Sequence, residues 1–471
     1  MSLKDRIIEW ANSGLVSPAD TSKQNSGWVA GNEKPFFRYF NWWMNQSDRT
    51  QNDTADTLNE RGTQSPSNPN VDAISELYHG DRDWSNLTSS LNRYTGAGAI
   101  INMCRGWNYT LDQEVVWAAD RVLPAGITQI RNEKPKEDGT FGITSERFLV
   151  TLDHASDVFV GVCCDGPYVY ILALTQSPLA DIGKVYKMSA NPWSSTPVWV
   201  RNFSVYGIST DVIGLNRIIV ADDDNLAILL RGLDTSSQAP IAILSKDNTS
   251  FTTGSGNAPS SATLEPGAGL CSDGTSVFFT IEDPAYLVAG QLCAADISDP
   301  TVASGMTAHA LGVTPTSRPV GGIIFDGEHV VCVPWMGNNA KVFTYRRSTD
   351  TLRETNALVG GIDSTVVRFP VVFDGMRIWS LMNYNGDSNE YNAFITSWYP
   401  YLHNALPNPG TYPEYDGVKH FLADETEDLA GPVATNPKMV YADGCMWISP
   451  LINDPVTQPL IIRMPNVLGR Q

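Results

Sequence analysis

Long apolar runs are what this chain most plainly lacks: nowhere in its 471 residues do about 18 apolar residues follow one another, so no segment reads as a membrane span. The first turn-lengths of sequence carry Lys4, Asp5, Arg6 and Glu9 and no apolar stretch, so a secretory signal is not read there and synthesis in a cytoplasm is expected. Basic residues are also scarce. With 32 Lys and Arg against 51 Asp and Glu, the formal charge is -19, which argues against a phosphate-binding surface, because displacing counterions from nucleic acid requires clustered cations. Histidine is limited to His79, His154, His309, His329, His403 and His420, no two of them at metal-ligand spacing, and no Cys-x-x-Cys occurs. Gly-x-Ser-x-Gly, phosphate-loop and dinucleotide motifs are missing as well. No metal, cofactor or catalytic residue is therefore expected.

The seven cysteines are odd in number, and Cys163, Cys164, Cys271, Cys332 and Cys445 sit inside apolar runs, which suits buried reduced thiols better than a disulfide framework. What the chain has in abundance is apolar material cut into short pieces: 42% hydrophobic and 10% aromatic residues are interrupted by 38 Gly and 29 Pro. A strand-rich globular fold follows from that combination.

A weak internal repeat organises most of the chain. Five segments place an Asp-Gly turn before an alternating apolar strand: Asp165-Gly166, Asp273-Gly274, Asp326-Gly327, Asp374-Gly375 and Asp443-Gly444. A degenerate sixth is read at Gly214-Leu215-Asn216, ahead of Ile218-Ile219-Val220. Another apolar run precedes each Asp-Gly, as in Ile323-Ile324-Phe325, so each unit opens with a hairpin closed by a turn that needs positive φ. Further strands are read at Lys184–Met188, Leu226–Leu230, Gln291–Asp296, Lys341–Tyr345 and Ala393–Trp398. Four antiparallel strands per ~50 residues, repeated radially, resemble kelch-like, quinoprotein-like and WD-like propellers, without the specific fingerprints of any of them. The expected fold is mainly β, a six- or seven-bladed β-propeller over residues 99–471. Residues 99–160 supply the seventh blade, with Leu460–Met464 closing the ring; a β-sandwich or a stack of hairpins is the alternative.

Residues 1–98 read differently. Phe36, Phe40, Trp43, Ser47, Thr50, Thr54 and Thr57 alternate steps of four and three, the seam of a short parallel helical bundle. A linker, Thr63–Asn70, and a helical stretch from Ile74 to Tyr94 follow. The expected division is an attachment and oligomerisation segment at 1–62, a linker and short helical region at 63–98, and the propeller beyond.

Gly27-Trp28-Val29-Ala30-Gly31-Asn32-Glu33-Lys34-Pro35 and then Tyr39-Phe40-Asn41-Trp42-Trp43-Met44-Asn45 resemble the N-terminal segment of many tailed-bacteriophage fibre and appendage proteins. The resemblance implies that Trp28, Lys34, Pro35, Phe40, Asn41, Trp42, Trp43 and Asn45 hold the chain on a virion. The partners it implies are other phage structural proteins (portal, adaptor, tail or capsid) and further copies of the chain, as a homotrimer. The chain lacks a long repetitive shaft, so a compact tail or head appendage fits better than a long fibre. The clustered aromatics agree with this from chemistry alone: Trp28, Phe36, Phe37, Tyr39, Phe40, Trp42 and Trp43 ask for a partner surface.

Two other classes of function compete. Loops containing Trp335, Asn338, Tyr384, Asp387, Trp398 and Tyr399 mix aromatic faces with amides and carboxylates, the surface on which a host glycan stacks and hydrogen-bonds. A sialidase-like or polysaccharide-cleaving propeller is the enzymatic rival. Its nearest turn, Ser245-Lys246-Asp247-Asn248-Thr249-Ser250-Phe251, lacks the expected Gly, and no carboxylate pair stands out. Asp222-Asp223-Asp224-Asn225 and the loop around Asp387 read as solvated turns more readily than as calcium loops.

Overall fold

A computed structural model describes residues 93–95, 100–120, 124–133, 143–175, 182–205, 217–230, 241–254, 265–282, 291–300, 306–310, 322–332, 342–355, 371–374, 378–385, 391–398, 418–421, 438–443, 445–449 and 460–465. All of them belong to one compact unit, Asp83–Asn466. Residues 1–92, where an attachment segment, a helical seam and a linker are expected, lie outside the described residues.

The described residues are almost entirely strand. After β1 (Arg93–Thr95), the first complete sheet is β2 (Ile100–Asn108), β3 (Gln113–Asp120), β4 (Gly126–Asn132) and β5 (Ile143–Leu149). The second is β6 (Asp157–Asp165), β7 (Tyr168–Thr175), β8 (Ile182–Ser189) and β9 (Trp199–Ser204); the third is β10 (Ile218–Val220), β11 (Asn225–Leu229), β12 (Ile241–Ser245) and β13 (Phe251–Thr253). β14 (Glu265–Ser272), β15 (Ser276–Glu282), β16 (Gln291–Asp296) and β17 (Met306–Ala310) form the fourth. The fifth holds β18 (Ile323–Phe325), β19 (His329–Cys332), β20 (Val342–Arg346) and β21 (Thr351–Thr355), and the sixth β22 (Val371–Phe373), β23 (Ile378–Asn385), β24 (Tyr391–Trp398) and β25 (Val418–Phe421). The last sheet joins β26 (Lys438–Ala442), β27 (Cys445–Ser449) and β28 (Leu460–Pro465) to β1, in the order β1-β28-β27-β26.

Within each of the first six, strand order follows chain order and neighbours are antiparallel. Neighbouring sheets meet through their first strands: β2 lies beside β6, β6 beside β10, β10 beside β14, β14 beside β18, β18 beside β22, β22 beside β26, and β26 beside β2 again. That return makes the arrangement a propeller rather than a row of hairpins or a sandwich. Among the described residues no helix is long and apolar enough to cross a membrane.

The core lies between the sheets, and β7 shows why its sequence, Tyr-Val-Tyr-Ile-Leu-Ala-Leu-Thr, is a continuous apolar run. Tyr170, Leu172 and Leu174 pack with Leu226, Ile228 and Leu244 of the third sheet, while Val169, Ile171 and Ala173 pack with Val115, Trp117 and Ile127 of the first. A strand buried on both faces has no polar side to display. Between last and first sheets, Met103, Val116, Ala118 and Ile130 meet Ala442, Cys445 and Trp447. Each fully buried side chain of this size contributes about 1.5–3 kcal/mol, so each of these joints is a core of its own.

Two sequence readings are corrected here. The turn of the third sheet is not at residues 214–216: β10 comes after them, and its hairpin with β11 is closed by Asp222-Asp223-Asp224. Leu226–Leu229 is consequently the second strand of that sheet and Ile241–Ser245 the third. The reading failed because an Asp-rich turn can replace Asp-Gly. In addition, Tyr94, expected at the end of a helix, lies on β1 opposite Ile461, within the stretch 63–98.

Candidate functional site

One end of the ring carries the turns that join first to second strands, and their chemistry is repetitive. In Asp273-Gly274, Asp273 Oδ1 accepts the backbone N–H of Thr275 at 2.9 Å and of Ser276 at 2.7 Å, while Gly274 takes φ +83°. Asp326 does the same with the N–H groups of Glu328 (2.9 Å) and His329 (2.6 Å), and Gly327 takes φ +101°. Nothing lies within 4 Å of a Cβ built on either glycine, so glycine is present for its conformation, not for space.

The other carboxylate oxygen of three of these turns reaches the next sheet. Asp165 Oδ2 accepts from Lys246 Nζ at 2.6 Å, across the second and third sheets. Asp273 Oδ2 accepts from Arg347 at 2.7 Å, across the fourth and fifth. Asp443 Oδ2 accepts from Gln113 Nε2 and Asn132 Nδ2, both at 2.8 Å, across the last and first. The donors come from the turn between third and fourth strands or the strand ends beside it. Burial alone would raise the Asp273 carboxyl, but the Arg347 guanidinium and the N–H groups of Ser276 and Thr275 together hold it below its usual range. Asp273 thus shapes its own turn and latches two sheets, whereas Asp326 Oδ2 faces His329 and Asp374 Oδ2 accepts from Trp379 Nε1, each within its own sheet.

On the same end, the first three sheets bring together aromatic and charged groups. Lys187 Nζ lies 4.1 Å from the Tyr168 ring centroid and 6.0 Å from that of Trp199. It donates to the Lys246 carbonyl at 2.9 Å, as does Trp199 Nε1 at 3.2 Å. Burial, the largest influence, holds the Lys187 ammonium below its ordinary range despite Asp165 and Asp247 nearby. Beside this cluster the β2–β3 hairpin leaves Trp107 37%, Tyr109 42% and Leu111 41% exposed, and the Tyr109 hydroxyl stands 3.5 Å from a Cβ built on Gly166.

The Asp222–Asn225 loop is occupied by protein groups. Asp222 binds Asn225 through both carboxylate oxygens, each 3.0 Å from Nδ2, and the Lys246 ammonium takes the carbonyls of Asp222 and Asp223 at 2.8 Å each. Asp247, in the turn nearest to a sialidase pattern, accepts the N–H of Thr249 at 3.0 Å and its hydroxyl at 2.7 Å, with Asn248 at φ +65° where glycine would be easier. Among the described residues no group of three or more His, Cys, Asp or Glu is placed to hold a metal.

The opposite end of the second sheet holds a buried polar cluster with no counterpart in the sequence reading. Asp157 accepts from Thr175 Oγ1 at 2.6 Å, Lys184 Nζ at 3.0 Å and the Tyr186 hydroxyl. Lys184 also reaches Asp153 at 2.8 Å. An Asp at the start of a strand and a Lys inside an apolar one are unremarkable in sequence; only the sheet register brings them together.

Of the expected site residues, Trp28, Lys34, Pro35, Phe40, Asn41, Trp42, Trp43 and Asn45 lie outside the described residues, as do Trp335, Asn338, Asp387 and Tyr399. Tyr384 and Trp398 are placed by their strands: Tyr384 stands opposite Asn392 and Trp398 opposite Ile378, at the two ends of the β23–β24 ladder. The sequence missed the Trp107–Leu111 hairpin because its turn has no Asp-Gly; Asn108 Oδ1 closes it instead, accepting from Thr110 and Leu111 at 3.0 Å.

No family model matches the chain, and no curated relative does. Among solved structures it is similar to YCF48 bound to D1 peptide, with a TM-score of 0.41 at 10% identity, covering 80% of this chain and 97% of that one. It is similar also to the Dos1 propeller, with a TM-score of 0.39 at 11% identity over 81% of this chain and 97% of that one. A third likeness is the PQQ-bound aldose sugar dehydrogenase of Streptomyces coelicolor, TM-score 0.36, 15% identity, 61% and 89% covered.

Proposed function

We propose that the chain is a non-enzymatic structural component of a tailed-bacteriophage virion: a seven-bladed propeller held on the particle as a homotrimer by residues 1–62, against portal, adaptor, tail or capsid proteins. It is made in the host cytoplasm and works on the virion. The observation that carries this reading is the aromatic segment at 27–45, with its resemblance to phage attachment segments. Aspartate latches at three of the joints between blades support it, because such a body suits a rigid appendage. Deleting residues 1–62 should leave a propeller that melts as the whole chain does yet is missing from assembled particles. Particles that still take up the shortened chain would overturn the attachment reading.

A second reading, binding of host-surface glycan, draws support from the half-exposed Trp107 and Tyr109 next to Tyr168 and Lys187, since aromatic faces flanked by polar groups stack on sugar rings. Substituting Trp107 and Tyr109 together by Ala should reduce binding of the purified protein to host cells at least tenfold without lowering Tm. Unchanged binding would dismiss this face as the receptor site.

A further inference from the structure

Between the first and second sheets no aspartate latch is found among the described residues; sulfur stands there instead. Cys104 of β2 and Cys164 of β6 face each other with Sγ atoms 3.3 Å apart, although they are 60 residues apart in sequence. That is little more than 1 Å beyond the about 2.0 Å of a disulfide bond, and the two strands run side by side, so closure needs only a small adjustment. We propose that Cys104 and Cys164 form an oxidation site that links the first two blades covalently.

Strand alternation selects the pair. Cys163 points the other way, into the core shared with the third sheet beside Tyr170 and Leu172, whereas Cys164 borders the core shared with the first. Gly106 keeps the approach open: a Cβ there would stand 3.0 Å from Cys164 Sγ and 2.6 Å from the Trp117 ring. Cys104 and Cys164 are both partly exposed, while Cys163, Cys271, Cys293, Cys332 and Cys445 are buried. All seven cysteines are free, as expected of reduced thiols; of those read as buried, Cys163, Cys271, Cys332 and Cys445 are buried and Cys164 is only partly so. Burial pushes the thiols of Cys293 and Cys332 up to about 12, and burial with the Cys104 contact holds that of Cys164 well above its ordinary range too, so what sets the pair apart is the approach of two sulfurs, with Cys104 as the attacking thiol and Cys164 as the resolving one.

The oxidant is a peroxide. One thiolate attacks a peroxide oxygen, the O–O bond breaks with loss of hydroxide, and a sulfenic acid forms; the second thiol then attacks that sulfur and water leaves. Overall, two thiols and one hydrogen peroxide give one disulfide and two waters.

Purified full-length protein treated with hydrogen peroxide, then alkylated under denaturing conditions, should lose the mass of two hydrogens and two of its seven reactive thiols. Peptide mapping without reductant should join Cys104 to Cys164, and Tm should rise by several degrees until reductant is added. Cys163→Ser should retain the link, while Cys104→Ser and Cys164→Ser should abolish it. The proposal fails if wild-type protein keeps all its thiols, stops at sulfinic acid, or links through Cys163; these readouts decide it even where a serine variant folds poorly.

Discussion

A chain ending at residue 459 is expected to lose its cooperative fold. β28 lies between β27 and β1 in the closing sheet, pairing Met446 with Met464 on one side and Tyr94 with Ile461 on the other. Without it both ladders vanish and β27, which carries Cys445 and Trp447 of the core shared with Met103 and Val116, becomes an open edge. The loss is comparable with the roughly 5–15 kcal/mol that stabilises a domain, so the shortened chain should aggregate or run as an expanded species in size-exclusion chromatography. Of the described residues, beginning the chain at residue 99 removes β1 alone, an outer strand of three residues, and should lower Tm without preventing folding. If the chain ending at 459 stays monomeric and melts within a few degrees of the full one, closure by β28 is not what holds the ring.

The next largest effect is expected from Asp157→Ala. The Asp157 side chain is fully buried and that of Lys184 only 4% exposed. Removing the carboxylate strands the ammonium with Asp153 alone and leaves the Thr175 and Tyr186 hydroxyls without their acceptor. Breaking a buried pair from one side costs about 3–5 kcal/mol, measurable as a fall in the urea midpoint. Replacing both partners, Asp157→Leu with Lys184→Met, should cost less than the single change, because no buried charge remains. A single variant within about 1 kcal/mol of wild type would mean that the cluster is solvated and idle.

The same cluster sets an acid limb. Burial alone would raise the Asp157 carboxyl, but the hydrogen bonds from Thr175, Tyr186 and Lys184 together hold it below its usual range. Its folded pKa is then lower than its unfolded one, so the unfolded chain binds the extra proton, and stability present above about pH 4 is lost as the pH falls through the folded value. Lys184 is shifted upward, because its two aspartates outweigh burial, and its contribution persists through neutral pH to be lost only in strong alkali. Asp157→Asn should flatten the acid limb of a Tm-against-pH curve; an unchanged limb would assign it to other carboxylates.

How much of this was legible in the sequence follows from which features impose a residue type. Asp-Gly turns were readable because a positive φ and an N–H-accepting side chain leave few choices, and they marked the correct hairpins in the second, fourth, fifth and last sheets. Where the same geometry was met otherwise, by Asn108 with Asp112 at φ +51° or by three aspartates after β10, the pattern went silent or shifted. Strands buried on both faces announced themselves as apolar runs. The second duty of the aspartates did not, since Lys246, Arg347 and Asn132 are far from their partners in sequence and look like ordinary surface residues. Equally invisible was the alternation that sends Cys163 to one joint and Cys164 to another, because the irregularity between Phe159 and Gly161 resets the phase of β6.

The shared final sheet also governs the order of events on the ribosome. Of the described strands β1 is the first to leave the exit tunnel and β28 the last, so β1 must wait for its partner while the intervening sheets are made. During that interval the nascent chain exposes the flank of the first sheet that Trp447 later covers. Premature meeting of growing chains on neighbouring ribosomes would exchange β1 between copies, so slow translation of the last hairpin should favour swapped dimers over single closed rings.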